Sequence, residues 1–216
     1  MRWLLTLAVL LTLPGSAQAE EWRPLFNGHD LAGWRANNDP DSFKVVDGTI
    51  RIQSSASTSA HLFVVDEKSG DLEKFKNFEL ELWARAEPDS NGGVFVHTDM
   101  STRDSALHLA KGYEVQLNSS QKEKRKTGSL YAIVDYDQSP LDETKWFRVN
   151  VIVEGKRIRI LVDGKQTVDY TEPEDAKRPP ERRGRLFASE GGAIALQAHD
   201  RKSVWYFRDL RIKSLP

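Results

Sequence analysis

Side chains suited to sugar chemistry recur at alternate positions of several short segments of this 216-residue chain. Carboxylates and amides hydrogen-bond hydroxyl groups, while indole and phenol rings stack on sugar rings. If one sheet gathers these segments, we expect a groove that suits a carbohydrate. The alternative interpretation, which holds for most single polar residues on a strand, is a solvated face. The set comprises Glu81, Trp83, Arg85, His97, Glu114, Gln116, Asn118, Tyr131, Gln197 and His199.

The segments that carry these residues have the two-residue period of β-strands. In residues 77–85, Phe78, Leu80, Leu82 and Ala84 alternate with polar or aromatic positions, which predicts one face in a core and one outside. The other predicted strands are 42–46, 49–53, 93–98, 113–118, 129–134, 147–153, 157–162, 193–198 and 204–212.

The turns between these segments favour antiparallel pairing. Asp47-Gly48 and Asp163-Gly164 predict tight hairpins, and Glu154-Gly155-Lys156 predicts a third. Many short strands at this spacing indicate an all-β, two-sheet antiparallel sandwich. In the last strand, Phe207 and the pair Leu210 and Ile212 have opposite parity, so they can share a face only if a bulge lies near Arg208-Asp209.

Two polar stretches, 119–126 and 172–185, interrupt the strands. Their charges and prolines predict solvated loops. The alternative is that they bind an anionic glycan.

Other chemistries have little support in the sequence. The chain has no cysteine, no Gly-x-Ser-x-Gly elbow, no phosphate-binding glycine loop and no pair of histidines spaced for zinc on a helix. Asp39, Asp41 and Asp47 could offer oxygen ligands to calcium, although acidic residues in turns more often cap them. No cofactor is therefore predicted with certainty, and a divalent metal held by Glu and His stays open.

The first nineteen residues have the features of a secretory signal peptide. Arg2 precedes an apolar run, residues 3–13, that is too short to span a bilayer, and Ala17-Gln18-Ala19 offers a cleavage site. We expect one domain over residues 20–216, exported to the periplasm or secreted. No cysteine follows Ala19, and no second long apolar run exists, so no membrane anchor is expected. The formal net charge is −1, which gives no electrostatic footprint for nucleic acid.

Ordered motifs across residues 21–215 resemble the 3-keto-disaccharide hydrolase family, also described as 3-keto-glucoside lyase/hydratase-like domains. The motifs are Leu25-Phe-Asn-Gly-His-Asp-Leu-Ala-Gly-Trp34, Asn77-Phe-Glu-Leu-Glu-Leu-Trp-Ala-Arg85, Asn91-Gly-Gly-Val-Phe-Val-His97, Gly112-Tyr-Glu-Val-Gln-Leu117, Thr127-Gly-Ser-Leu-Tyr131, Gly192-Ala-Ile-Ala-Leu-Gln-Ala-His199 and Phe207-Arg-Asp-Leu-Arg-Ile212. Single motifs of this kind are weak, whereas the ordered set is specific.

The resemblance implies a jelly roll of the concanavalin/glucanase type and cleavage of 3-keto-glycosides. It implies proton abstraction at C2, elimination of the C1 substituent and hydration. Under it, Glu114, Arg85 and His199 are the candidate catalytic residues. The candidate substrate-binding residues are Glu81, Trp83, His97, Gln116, Tyr131, Gln197 and Arg208.

The chain departs from the family pattern at three positions. His97 stands where the family usually has an arginine, Asn118 stands where many members have an aspartate, and Asp200 replaces the glycine after His199. Two alternatives to an enzyme stay open: a carbohydrate-binding module without catalysis, and a structural or adhesion domain of the cell envelope. The oligomeric state is not predicted.

Overall fold

A computed structural model describes residues 21–139 and 141–216, so the predicted signal peptide lies outside the described residues. In chain order the strands are β1 (Arg23–Pro24), β2 (Trp34–Ala36), β3 (Phe43–Val46), β4 (Thr49–Ile52), β5 (Ala60–Val64), β6 (Phe78–Ala86), β7 (Asn91–Thr98), β8 (Tyr113–Asn118), β9 (Phe147–Glu154), β10 (Arg157–Val162), β11 (Lys165–Thr171), β12 (Ala193–Ala198) and β13 (Trp205–Ser214). Two single-turn 3-10 helices, Pro40–Ser42 and Pro180–Arg182, lie in connections.

The strands form two antiparallel sheets. The eight-stranded sheet has the order β11-β10-β9-β6-β13-β4-β3, with β1 added beside β13. The five-stranded sheet has the order β2-β5-β12-β7-β8. The fold is the predicted two-sheet antiparallel jelly-roll sandwich.

The core lies between the sheets and follows the alternation seen in the sequence. On β6, Phe78, Leu80, Leu82 and Ala84 are at most 1% exposed and face the apolar cluster. Val115 and Leu117 of β8 fill the same cluster from the opposite sheet. The intervening residues of each strand therefore lie on the two outer faces of the sandwich.

The predicted hairpins are confirmed. Asp47 and Gly48 both have positive φ, at 48° and 72°, and so do Asp163 and Gly164, at 48° and 78°. Positive φ at both central residues is the requirement of a type I′ turn. Gly155 begins the connection between β9 and β10, also with positive φ.

The predicted bulge in the last strand is also confirmed. Pairing of β13 with β6 shifts register between Arg208 and Arg211, and Asp209 has a φ of 52°. The extra residue turns Phe207, Leu210 and Ile212 to the same side, where each is at most 3% exposed.

Some sequence expectations on the elements were wrong. Residues 129–134 form turns with isolated bridges rather than a strand. β1, β2, β5 and β11 were not among the predicted strands. β5 is buried at every position and so lacks alternation, whereas β11 is an edge strand with mostly polar residues.

Segments between strands cover part of the outer face of the five-stranded sheet. Leu109, from the connection between β7 and β8, packs there against Phe63, Phe95, Ala193 and Ala195. Arg185, from the long connection after β11, is buried on the same face. These connecting segments leave a depression over β7, β8 and β12. Among the described residues, no helix has the length and apolar character needed to cross a membrane.

Candidate functional site

The depression collects polar side chains from three neighbouring strands and their connections. Glu114 and Gln116 come from β8, Gln197 and His199 from β12 and its end, and Tyr131 from the turn after β8. The pocket holds about 90 Å³, below the roughly 300 Å³ lower end for drug-sized ligands, and it is open on one side. That space suits the edge of one sugar ring, with the rest of a ligand outside. Its other lining residues are Asn91, Phe95, Arg103, His108 and Arg185.

A buried ion pair forms one wall. The Arg185 guanidinium donates to the Glu114 carboxylate at 2.9 Å, and the two side chains are 2% and 8% exposed. The guanidinium carbon lies 5.0 Å from the centre of the Phe95 ring. Burial lowers the pKa of Arg185, while Glu114 opposes that shift. Gly93 pairs with Gln116 across the strands and lies diagonal to Glu114, and a Cβ there would lie 3.1 Å from the Glu114 side chain, so glycine leaves that side chain room.

A hydrogen-bonded chain orients His199. Its Nδ1 contacts the Asp200 carboxylate at 2.9 Å, and its Nε2 contacts the Asn91 amide nitrogen at 3.1 Å. The Asn91 oxygen accepts a bond of 2.7 Å from Gln116. With the proton on Nδ1 donated to Asp200, Nε2 is an acceptor, a tautomer assigned from this network. Burial raises the pKa of Asp200, but the bonds from His199 and two backbone N–H groups outweigh it and lower the pKa overall.

A second histidine is held in the same way. The Nδ1 of His108 contacts both oxygens of Asp104, at 3.1 and 2.9 Å, and its ring centre lies 6.4 Å from that of His199. Histidine changes charge near neutral pH, and a carboxylate on one nitrogen fixes the ring. The pocket therefore carries two histidines that are positioned for proton transfer.

Two amides that line the pocket, and a buried histidine next to one of them in the sheet, have polar atoms without hydrogen-bond partners. His61 of β5 pairs with Gln197 across the sheet and is fully buried. Burial, with smaller effects from His108, Arg185 and His199, lowers the pKa of His61 to about 3, so the ring is neutral. Among the described residues, both His61 nitrogens and the side-chain oxygens of Gln116 and Gln197 lack a partner. An unpaired buried acceptor costs about 1–3 kcal/mol, which a bound hydroxyl could recover.

Tyr131 forms the rim. The guanidinium carbon of Arg125 lies 4.7 Å and that of Arg182 lies 5.5 Å from its ring centre. Its hydroxyl donates to Glu123 at 3.3 Å. Burial raises the pKa of Tyr131, and the nearby carboxylates raise it further, so the phenol stays protonated at neutral pH.

The structure does not bring four of the proposed residues to this pocket. Arg85, Glu81 and Trp83 lie on β6 and Arg208 on β13, so all belong to the eight-stranded sheet, where they alternate with core residues. The expected convergence of Arg85 with Glu114 and His199 was therefore wrong, because the outer faces of a sandwich point in opposite directions. Glu81 is instead paired with Arg211 at 2.6 Å.

His97 also lies away from the pocket, although its strand, β7, contributes to it. Its φ of 53° and the register shift between β7 and β12 mark a bulge, so alternation with Phe95 fails at this position. The ring packs between Phe78 and Phe187, and Nε2 contacts the backbone oxygen of Lys76 at 3.0 Å. Strict alternation along the predicted strand 93–98 would place His97 on the face of Phe95, and the bulge shows that this prediction is wrong. Asn118 lies at the end of β8 and bonds the backbone oxygens of Glu123 and Arg125.

Sequence reasoning missed several residues that line the pocket. Arg185 lies in a stretch predicted to be solvated, and no local pattern marks it as buried. His108 and Arg103 lie in an irregular connection without periodicity. Asn91 begins one of the motifs and pairs with Asn118 of β8, but the two glycines after it are typical of a turn and do not mark it as a pocket residue.

Metal ligation has weak support here. Within the described ranges, no three His, Asp or Glu side chains come together as the ligands of one cation. The divalent metal that the sequence left open therefore has no such protein site in this part of the chain.

Comparisons with known proteins agree with this fold. A candidate glycosyl hydrolase from Parabacteroides distasonis superposes with a TM-score of 0.74 at 21% identity, covering 96% of this chain and 99% of that one. A carbohydrate-binding module from Bacillus subtilis gives 0.57 at 15% identity, covering 85% of this chain and 96% of that one. At these identities the likeness shows the fold alone.

Sequence comparison is more specific. A 3-keto-disaccharide hydrolase of Bacteroides thetaiotaomicron is 33% identical over 91 residues, which is 39% of this chain and 29% of that protein. The model of the 3-keto-alpha-glucoside-1,2-lyase-like domain matches residues 21–213, nearly all of the chain outside the predicted signal. The chain therefore belongs to the 3-keto-alpha-glucoside-1,2-lyase-like family.

Proposed function

We propose that the protein is an enzyme that cleaves 3-keto-glycosides in the pocket over β7, β8 and β12. The observation that carries the proposal is that Glu114 and His199 line one small polar pocket in a member of this family. Unpaired amide oxygens in the same pocket suit the hydroxyl groups of a sugar ring.

The proposed reaction needs a base, an anion stabiliser and an acid. A ketone at C3 acidifies the proton on C2, and a base removes it to give an enediolate. The enediolate expels the C1 substituent, whose oxygen takes a proton, and water then adds across the C1–C2 double bond. One water is consumed, and the two products are a 3-keto sugar and the released alcohol or sugar.

Glu114 is the proposed base at C2. The ion pair with Arg185 holds its carboxylate in place at the wall of the pocket, where it can accept a proton from a bound ligand. Guanidinium groups also stabilise oxyanions, so Arg185 and Arg103 are the proposed stabilisers of the enediolate, and Arg85, which lies on the other sheet, is not.

With a proton on both ring nitrogens, His199 is the proposed acid that gives its Nε2 proton to the leaving oxygen, and the neutral ring is then the base that takes a proton from the incoming water. Its bond to Asp200 orients the ring and would stabilise the imidazolium form during transfer. Asp200 departs from the usual glycine of the family, and in this chain it supplies the partner of the histidine.

Turnover of a purified 3-keto-disaccharide tests the proposal. Wild type should release sugar, and Glu114→Gln should lower kcat by about 10²–10⁴-fold, the range for a general base. Glu143→Gln is a matched control, because Glu143 is also buried but does not line the pocket.

Two results would contradict this proposal in different ways. No turnover by wild type of several 3-keto-disaccharides, with binding retained, would favour a carbohydrate-binding module. Full turnover by Glu114→Gln would remove the proposed role of Glu114 while leaving the activity in place.

We also propose that the protein is exported. The support is the charge, apolar run and small-residue site within residues 1–19.

A further inference from the structure

The outer face of the eight-stranded sheet carries a second pocket, on the opposite side of the sandwich from the proposed active site. It holds about 460 Å³, within the range of about 300–1,000 Å³ for small-molecule sites. Its lining residues are Val46, Asp47, Gly48, Thr49, Arg85, Trp146, Tyr206, Arg208 and Asp209.

Arginines and aromatic rings alternate along this pocket. The guanidinium carbon of Arg85 lies 4.2 Å from the ring centre of Tyr206 and 5.7 Å from that of Trp146. That of Arg208 lies 4.4 Å from Trp146 and 5.8 Å from Trp83. Each guanidinium is fixed by these cation–π contacts. The guanidinium N–H donors are therefore held in place before any ligand binds.

The donors of these arginines are not used by strong ion pairs. The carboxylate contact of Arg85, to Glu87, measures 3.8 Å, and that of Arg208, to Asp209, measures 3.6 Å. Both exceed hydrogen-bond distance. Their side chains are 31% and 42% exposed, so a ligand in the pocket could reach the remaining N–H groups.

Two backbone irregularities bring carboxylates to the same pocket. Asp47 lies in the hairpin between β3 and β4, with a φ of 48°, and Asp209 lies in the bulge of β13, with a φ of 52°. Asp209 is 66% exposed in its side chain. The pocket thus offers fixed donors from two arginines and acceptors from two aspartates, with its charge nearly balanced.

We propose that this pocket is a second carbohydrate-binding site, specific for neutral glycans and separate from the proposed active site. A sugar hydroxyl both donates and accepts, which matches guanidinium donors next to carboxylate acceptors. The aspartates oppose binding of an anionic ligand, and the partly exposed Trp146 and Tyr206 offer ring surface to a pyranose.

Affinity electrophoresis through gels containing hydroxyethyl cellulose, glycogen or galactomannan tests this site. These polymers carry no 3-keto group, so the result does not depend on the proposed reaction. Wild type should be retarded by at least one polymer, and Trp146→Ala should weaken that binding about tenfold. Arg208→Gln should weaken it as well, since it removes donors while keeping length.

Trp22→Ala is the matched control. Trp22 is partly exposed and lies under Arg211 and Lys213 at 4.6 and 4.9 Å, but it does not line the pocket. Its substitution should leave retardation unchanged. Circular dichroism and a melting curve establish that each variant is folded.

Three results would overturn the proposal. The first is absence of retardation by every neutral polymer. The second is equal retardation of wild type and folded Trp146→Ala. The third is retardation by the anionic polymer polygalacturonate alone, abolished by added salt, which would indicate an anion-binding site instead.

Discussion

The buried pair of Glu114 and Arg185 is the residue-scale feature on which the proposed active site depends. A buried pair stabilises only as a unit, because either partner alone leaves a charge out of water without compensation. The sequence motif pointed to Glu114, but nothing near Arg185 in sequence indicated its partner, because the contact joins residues 71 apart. Contacts of that range depend on the folded topology.

Substitution of Arg185 should therefore lower stability strongly. Arg185→Met should reduce the free energy of unfolding by about 3–5 kcal/mol, as for other broken buried pairs. The double variant Arg185→Met, Glu114→Gln should recover part of that loss, since no charge is then left unpaired. Urea denaturation at pH 7 measures both. A single variant as stable as wild type would show that the pair is not buried in solution.

His61 should make stability depend on pH. Its pKa is lowered to about 3 by burial, whereas in the unfolded chain it is about 6.5. Between these values the unfolded chain binds one more proton, so stability falls as pH decreases, by up to about 1.4 kcal/mol per pH unit. From pH 6.5 to 4.5, wild type should lose about 2–3 kcal/mol more than His61→Leu.

The control for this experiment is His29→Leu, because His29 is exposed. It should follow the wild-type pH dependence. Equal slopes for wild type and His61→Leu would mean that His61 is solvated or can be protonated in the folded protein.

At the scale of elements, the strand pattern was readable wherever one face of a strand is buried and the other is not. β6, β9 and β10 follow this rule, and so does the bulge in β13. β8 is buried at every position, but polar and apolar residues still alternate along it. β5 is also buried on both faces, and with one polar residue it shows no alternation. The assignment of strands to sheets was not readable, because residues on different outer faces have the same alternating pattern.

The bulge at His97 is an element-scale feature maintained by close glycines. A Cβ on Gly192 would lie 2.4 to 2.7 Å from three backbone atoms of His97, so β7 and the start of β12 approach closely only with glycine. Gly192→Ala should lower the free energy of unfolding by about 1–3 kcal/mol, as for other overpacked sites. Thermal and urea melts measure this loss.

Gly155→Ala is the control, because it separates the cost of crowding at a Cβ from the cost of replacing a glycine that has a positive φ. Gly155 has a positive φ of 60°, but nothing lies within 4 Å of a Cβ there. Gly155→Ala should lower the free energy of unfolding by about 1 kcal/mol, from backbone conformation alone. A smaller loss for Gly192→Ala than for Gly155→Ala would contradict the close approach.

At the scale of the whole molecule, the sandwich separates two polar surfaces that looked like one groove in the sequence. The pocket with Glu114 and His199 lies on the outer face of the five-stranded sheet, and the pocket with Arg85 and Trp146 lies on the outer face of the other. The core between them makes the two sites physically independent. Chemistry and polymer binding should therefore be separable by substitution.

Export is a whole-molecule prediction as well. Expression of the full chain in a Gram-negative host should yield a protein whose N-terminus is Glu20, after cleavage behind Ala19. N-terminal sequencing of the protein from the periplasmic or medium fraction identifies its first residue. An intact Met1 in a cytosolic fraction would contradict export.

The most direct test of the central claim is cleavage of a 3-keto-disaccharide in D₂O, followed by NMR of the released 3-keto sugar. Proton abstraction at C2 followed by hydration predicts one deuterium at C2 in the product, beyond the exchange seen without protein. Glu114→Gln should slow both cleavage and enzyme-dependent deuterium incorporation by about 10²–10⁴-fold. Cleavage by wild type with the C2 proton retained would contradict elimination and favour direct hydrolysis in this pocket.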